Sequence, residues 1–146
     1  MENNIKIIVD SNALNIAVVR VAVATFISSI DISIDDLMDI KTAVSEAVTN
    51  SIEHGYENKE GIVTIECKIV QSVDNIVSIS IKDNGIGIGD IELATTPTYT
   101  SKPELEHAGL GFTIMESFMD EVVIDSTLNV GTNIFMTKKL TKHKSI

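Results

Sequence analysis

Glu46, Asn50 and His54 recur at every fourth position of Ser45-Glu46-Ala47-Val48-Thr49-Asn50-Ser51-Ile52-Glu53-His54, a segment whose apolar residues follow helical spacing. Residues four apart on a helix lie one above the other, so a carboxylate, a carboxamide and an imidazole share one face. A carboxylate can act as a general base, and a carboxamide oxygen suits a hard cation. Together they form a minimal kit for handling the terminal phosphate of a nucleotide. On its own, such a stripe is more often a solvated helix face.

Further chemistry lies downstream. Asp83 ends an apolar run and opens Asp83-Asn84-Gly85-Ile86-Gly87-Ile88-Gly89, where glycine at every second position is incompatible with an ordinary strand and leaves a backbone that a ligand can approach closely. A carboxylate there accepts hydrogen bonds, as the exocyclic amine of adenine requires, although Asp-Asn-Gly is also a common hairpin turn. Gly109-Leu110-Gly111 opens an apolar helix, presenting backbone N–H groups at the positive end of the helix dipole, where phosphate oxygens bind; a plain glycine-containing helix entry reads the same way. Between them, residues 95–108 lose the hydrophobic rhythm and become rich in Thr, Pro and charge, which predicts a long, mobile, functional loop. In it, Lys102 can reach a phosphate as a point charge while Thr100 and Ser101 donate hydroxyl hydrogen bonds; a solvated lysine is the alternative.

The elements that must position these groups are marked by periodicity. Ile5, Ile7 and Val9 alternate with polar neighbours as a short first strand, followed by a helix over 12–30. A second helix is capped by Ser33, with Asp36 three residues later, and carries Leu37, Ile40, Val44, Ala47, Val48, Ser51 and Ile52 at helical spacing up to Gly55. Alternating runs over 63–69 and 77–81, joined through Asp74-Asn75, predict an antiparallel pair with Cys67 on its apolar face. A helix opened by Gly109-Leu110-Gly111 and running through Phe118 or Met119, and strands over 121–127 and 132–137, complete the chain. The expected fold is one domain over residues 1–146, an α/β (α+β) two-layer sandwich with a mixed, largely antiparallel sheet and helices on one face.

Composition narrows the function classes. With 146 residues, 44% hydrophobic content and a formal net charge of -10, the chain reads as a soluble globular protein. Its acidity argues against broad nucleic-acid binding. One cysteine allows no internal disulfide, and no charged-then-apolar leader opens the chain. The longest apolar stretch, residues 16–30, is interrupted by Arg20, Thr25, Ser28 and Ser29, so it reads as a buried helix rather than a membrane span, and the cytoplasm is the expected location.

Glu46 with Asn50, Asp83-x-Gly85-x-Gly87, Thr100-Ser101-Lys102 and Gly109-x-Gly111 occur in one order along a short chain, and in that order the chain resembles the GHKL ATPase superfamily. Three longer stretches narrow the resemblance: 45–50 with His54-Gly55-Tyr56, Thr100-Ser101-Lys102-Pro103-Glu104-Leu105-Glu106, and Gly109-Leu110-Gly111-Phe112-Thr113-Ile114-Met115-Glu116. They resemble the anti-sigma factor serine kinases of the sporulation sigma factor, sigma-F; the general-stress anti-sigma kinases are close relatives. The resemblance implies that Glu46 is the general base, Asn50 a Mg2+ ligand and Asp83 the adenine-recognising carboxylate. It further implies that Gly85 and Gly87 shape the pocket, that Thr100, Ser101 and Lys102 belong to a lid, and that Gly109 and Gly111 offer amides to phosphate. Thr132 matches a threonine supporting the carboxylate. Arg20 matches a residue facing protein partners, and His107 stands where relatives can carry arginine, which replaces a fixed cation with a titrating one. His54 is left between a phosphate contact and a packed or solvated side chain.

The implied cofactors are ATP and Mg2+. The implied partners are a sigma-F-like sigma factor, a STAS-type anti-anti-sigma substrate and a second copy of the chain in a homodimer, with no direct nucleic acid and no membrane. The rival readings are an ATP-dependent module that sequesters a sigma factor without catalysis, and a histidine autokinase or simple ATPase. The autokinase is the weaker rival, because the chain shows no long dimerisation helix bearing an acceptor histidine.

Overall fold

A computed structural model of the chain describes residues 1–96 and 110–141. The elements run β1 (Glu2–Asp10), α1 (Leu14–Ile27), α2 (Ile34–Thr49), a single π-helical turn (Asn50–Gly55), β2 (Ile62–Gln71), β3 (Asn75–Asp83), a short α3 (Ile91–Ala94), α4 (Gly111–Phe118), β4 (Glu121–Thr127) and β5 (Gly131–Lys139). The strands form one sheet in the order β1-β2-β3-β5-β4. The largely antiparallel sheet expected is present, and all four pairings described are antiparallel. The α1–α2 pair brings the chain back to the sheet end that it left, where Ser11 N–H donates to Gly61 O at 2.8 Å, so β2 runs back along β1.

Alternation decides which sheet face is covered. Val63, Ile65, Cys67 and Ile69 of β2, Val77, Ile79 and Ile81 of β3, and Ile134 and Met136 of β5 all point into one core. Val19, Val23 and Ile27 of α1, Ile40, Val44 and Val48 of α2, and Phe112 and Met115 of α4 fill it from the helix layer. The thiol of Cys67 is buried there, and desolvation pushes its pKa up to about 12. The expectation of a buried first helix holds for one face only: Leu14, Val18 and Val21 are exposed, because α1 forms the edge of the helix layer and packs on α2 and β1. Among the described residues, no helix is long and apolar enough to cross a membrane.

Helix ends follow local chemistry. Ser33, in extended conformation, accepts the Asp36 N–H at 3.1 Å, and Asp35 and Asp36 lie at the positive end of the α2 dipole. α1 stops short of the expected Ile30, with the Ser28 and Ser29 hydroxyls bonding back to Ala24 O and Phe26 O. The second helix does not continue regularly to Gly55. It widens at Asn50 into the π turn, with Tyr56 N–H donating to Ser51 O at 2.9 Å. His54 lies within that turn and is half-buried.

At the N-terminal end of α2 a charged network closes the sandwich. Lys138 Nζ lies 3.6 Å from Asp39 Oδ2 and 4.0 Å from Asp36 Oδ1, and donates to Phe118 O at the end of α4 at 2.6 Å. Asp36 Oδ2 accepts the Thr141 N–H at 2.7 Å.

Candidate functional site

Strand alternation carries Asp83 onto the helix-facing side of β3, at the opposite end of the sandwich, where it is 2% exposed. Burial pushes its carboxyl above the ordinary carboxylate range; the Gly85 amide, the Ser51 hydroxyl and the Thr132 amide partly oppose the shift. Oδ1 accepts the Gly85 N–H at 2.9 Å. Oδ2 is buried and has no hydrogen-bond partner, and the nearby Ser51 Oγ is likewise buried and outside hydrogen-bond geometry. An unsatisfied buried oxygen of this kind is costly, and a ligand that donates can meet it.

The turn after Asp83 is held from three sides. Ile86 N–H donates to Gly55 O at 2.9 Å, so the π turn packs directly on it, and a Cβ on Gly85 would run into the Gly55 carbonyl. A Cβ on Gly55 would sit 3.1 Å from the Asp83 carboxylate. Gly87 takes a φ of 72° against the Thr127 carbonyl, a conformation and an approach open only to glycine. On the hairpin side, Asn129 N–H donates to Ile86 O at 2.6 Å and Ile88 N–H to Ser126 Oγ at 2.7 Å. Tyr56 Oη accepts the Asn84 N–H at 2.7 Å and donates to Ile62 O at 2.6 Å, which ties the turn to the start of β2.

A second group of residues assembles around Glu46, in the last turns of α2. Packing of α4 on α2 brings Glu46 Oε2 to 3.4 Å from where a Gly111 Cβ would be, so the carboxylate faces the N-terminus of α4. Asn50 follows as the first residue of the π turn and is half-buried. On its other side Glu46 borders a cavity of about 550 Å³ between α1 and α2, lined also by Arg20, Lys41, Ser45, Thr49 and Glu53. Glu53 Oε2 is buried without a hydrogen-bond partner.

Of the residues expected to form the site, Asp83, Gly85, Gly87 and Thr132 thus come together at one end of the sheet. Glu46 meets Gly111 and shares the cavity with Arg20, and Asn50 lies next along the chain. Thr100, Ser101, Lys102, His107 and Gly109 lie outside the described residues. The sequence reading missed Ser51, Tyr56, Glu53 and Ser126 as parts of the site. Ser51 and Ser126 carry a signal, being polar residues at inward positions of apolar patterns; Glu53 falls on the polar stripe of the second helix and Tyr56 closes the His54-Gly55-Tyr56 stretch, but neither position points to its role. For a divalent cation, no group of three or more His, Cys, Asp or Glu able to hold a metal exists among the described residues. Asn50 fits an ion that takes one amide oxygen from the protein and keeps phosphate oxygens and water, which is how Mg2+ is usually held.

The family of the histidine kinase-like ATPase domain matches residues 9–138. An anti-sigma F factor of Clostridium kluyveri is 53% identical over 137 residues, covering 94% of each chain. That of Oceanobacillus iheyensis is 50% identical over 147 residues, covering 100% of this chain and 99% of its own. Two solved structures share the fold. The RsbU and RsbW domains of a Mycobacterium tuberculosis protein superpose with a TM-score of 0.69 at 22% identity, over 97% of this chain and 33% of that one. The mycobacterial sensor histidine kinase MprB superposes with a TM-score of 0.55 at 15% identity, over 93% and 98%. An ATPase domain implies ATP binding, for which a buried carboxylate with an unpaired oxygen beside a glycine turn is suited, and on identity and coverage the chain belongs to the histidine kinase-like ATPase domain family and, within it, to the anti-sigma F factors.

Proposed function

We propose that this chain is a cytoplasmic anti-sigma factor that holds a sporulation sigma factor of the sigma-F type and acts, as a homodimer of single-domain subunits, as an ATP-dependent kinase of a serine on a STAS-type anti-anti-sigma protein. The observation that carries the nucleotide reading is the unpaired, buried Asp83 Oδ2 in a cradle that glycines keep open. The adenine amine donates to that oxygen. Gly85 and Gly87 let the ring lie against the backbone, and Thr132 supports the carboxylate across the β3–β5 pair. The amides at Gly109 and Gly111 receive the phosphates, and Thr100, Ser101 and Lys102 close over them.

Glu46 accepts the proton of the partner's serine as its Oγ attacks the γ-phosphorus. The new O–P bond forms in line while the bond between that phosphorus and the β–γ bridging oxygen breaks, and ADP leaves. Mg2+, held by the Asn50 amide oxygen with phosphate oxygens and water, would supply charge neutralisation. Positioning and electrostatics provide most of the catalysis in such transfers. The cavity between α1 and α2 gives the partner a route to Glu46 that does not cross the adenine site; Arg20, exposed on α1, lines it, and His107 is a further partner contact.

The test is transfer of label from γ-labelled ATP to a serine partner. Glu46→Gln should retain ATP binding and lose transfer by roughly 10²- to 10⁴-fold, the range for a general base. A wild-type protein that labels no serine partner sinks the kinase reading and leaves sequestration without catalysis, whereas acid-labile phosphohistidine marks an autokinase. Pull-downs with ATP and then ADP should exchange the sigma factor for the antagonist, which requires a nucleotide coupling on the order of 1–3 kcal/mol.

A further inference from the structure

Beyond holding the turn at Ile88, Ser126 joins the two halves of the base-recognition end. Its Oγ accepts the Ile88 N–H at 2.7 Å, lies 3.1 Å from Gly131 O and 2.7 Å from Thr132 Oγ1. A serine hydroxyl has one hydrogen and two lone pairs. The Ile88 N–H occupies one lone pair. A carbonyl can only accept, so the Gly131 contact takes the single hydrogen of Ser126. With that hydrogen on Gly131 O, the remaining lone pair faces Thr132 and the Thr132 hydroxyl donates to Ser126, one of the two directions that the 2.7 Å contact allows. Thr132 stands directly opposite Asp83 in the β3–β5 register, and directly opposed side chains lie side by side. With its hydrogen turned toward Ser126, Thr132 has only lone pairs left beside the carboxylate. Both groups at the base-recognition edge are then acceptors.

The geometry points to Ser126 as a specificity-determining positioning residue: by fixing the direction of the Thr132 hydroxyl, it makes the edge beside Asp83 accept only, selecting a purine with an amine over one with an oxo group at the same ring position. The inference rests on the adenine-binding reading of Asp83. A 6-oxo purine would present an acceptor to acceptors, and an unpaired buried acceptor is penalised. Without Ser126, the Thr132 hydroxyl is free to turn and donate to the oxo oxygen.

Equilibrium binding of ATP and ITP to the full chain tests this. Wild type should prefer ATP, and Ser126→Ala should lower the ATP-to-ITP preference by about tenfold, the worth of one net hydrogen bond. Ser126→Thr, which keeps the hydroxyl, should restore the preference. A merely structural latch would weaken both nucleotides together and leave their ratio within about twofold of wild type; that result overturns the inference. Should Ser126→Ala fail to fold, Ser126→Cys preserves volume and supplies a poor acceptor, so the same fall in ratio is expected and an unchanged ratio again overturns it. Failure of wild type to bind ATP, or undiminished ATP binding by Asp83→Asn, would instead sink the adenine reading itself, and this inference with it.

Discussion

The two ends of the helix-on-sheet sandwich both bury charge, and they treat it in opposite ways. At the N-terminal end of α2, Lys138 is matched by two carboxylates and a helix-end carbonyl, and Asp36 takes a backbone amide as well. At the C-terminal end, Asp83 is more deeply buried than any of these, yet one of its oxygens has no partner. The first end ties β5, α4 and α2 together. The second retains an unmet hydrogen-bonding demand that rigid surroundings prevent from collapsing: the π turn, the Tyr56 hydroxyl and the β4–β5 hairpin all hold the turn in place. A polar group satisfied within the chain serves the fold, and one held unsatisfied beside a glycine turn is fitted to meet a ligand that donates.

The comparison is broken most severely at its closed end. Lys138→Met should leave two carboxylates facing each other and the Phe118 carbonyl unmet, at a cost of about 3 kcal/mol, the low end for a broken buried pair because the Asp39 side chain is 33% exposed. Urea denaturation checks this, and a loss below about 1 kcal/mol would mean that the network is only a surface feature.

Asp83→Asn should have the reverse signature. Removing a charged acceptor should weaken ATP binding by about 10- to 100-fold, from the roughly 1.5–3 kcal/mol of a hydrogen bond to a charged group. At neutral pH the apo protein should melt at a higher temperature, because an uncompensated buried carboxylate is gone. A variant that loses both binding and stability would place Asp83 among the groups that hold the fold.

The pH dependence follows from the raised Asp83 pKa. Because the folded state holds this proton more tightly than the unfolded chain, the group's contribution to stability is present below the ordinary aspartate value of 3.8 and is lost as pH rises through the folded pKa. The stability advantage of Asp83→Asn over wild type should therefore shrink on acidification. ATP binding by wild type should weaken at a higher pH than an ordinary carboxylate would require, since protonation removes an acceptor. Thermal denaturation reads the first and titration calorimetry the second, each from about pH 3 to about 8 so as to span the usual carboxylate range. Equal profiles for wild type and variant would contradict the burial argument.

The smallest effect should come from Ser33→Ala, which removes the α2 cap beside the closed end and should cost about 1 kcal/mol. ATP affinity should stay unchanged, because the cap lies at the other end of the helix. A parallel loss of affinity would show that the two ends are energetically coupled through α2.

Much of this organisation was legible in the residues. The period-two runs of β2 and β3, the Ser33 cap and the glycine turn after Asp83 each follow from local chemistry, and the structure has each of them. The one-sidedness of α1 was not legible, because its apolar residues encircle the helix and only the neighbouring elements select a buried face. Nor was the widening at Asn50: a regular helical pattern continues through Ile52, and the π turn depends on Gly55 meeting the turn around Gly85 from another part of the chain. The roles of Tyr56 and Glu53 were not legible either, since each acts through a partner or a cavity formed at long range.

The sequence by itself determined the kinds of chemistry available, because acidity, amide oxygen and glycine backbone are properties of residue types, and it determined the alternation that buries Asp83. Only the tertiary structure decided which of those groups would go unpaired. Whether a buried oxygen is satisfied depends on what packs against it, and at Asp83 the packing elements are a helix end with the tyrosine that follows it and a hairpin, which come from two separate parts of the chain.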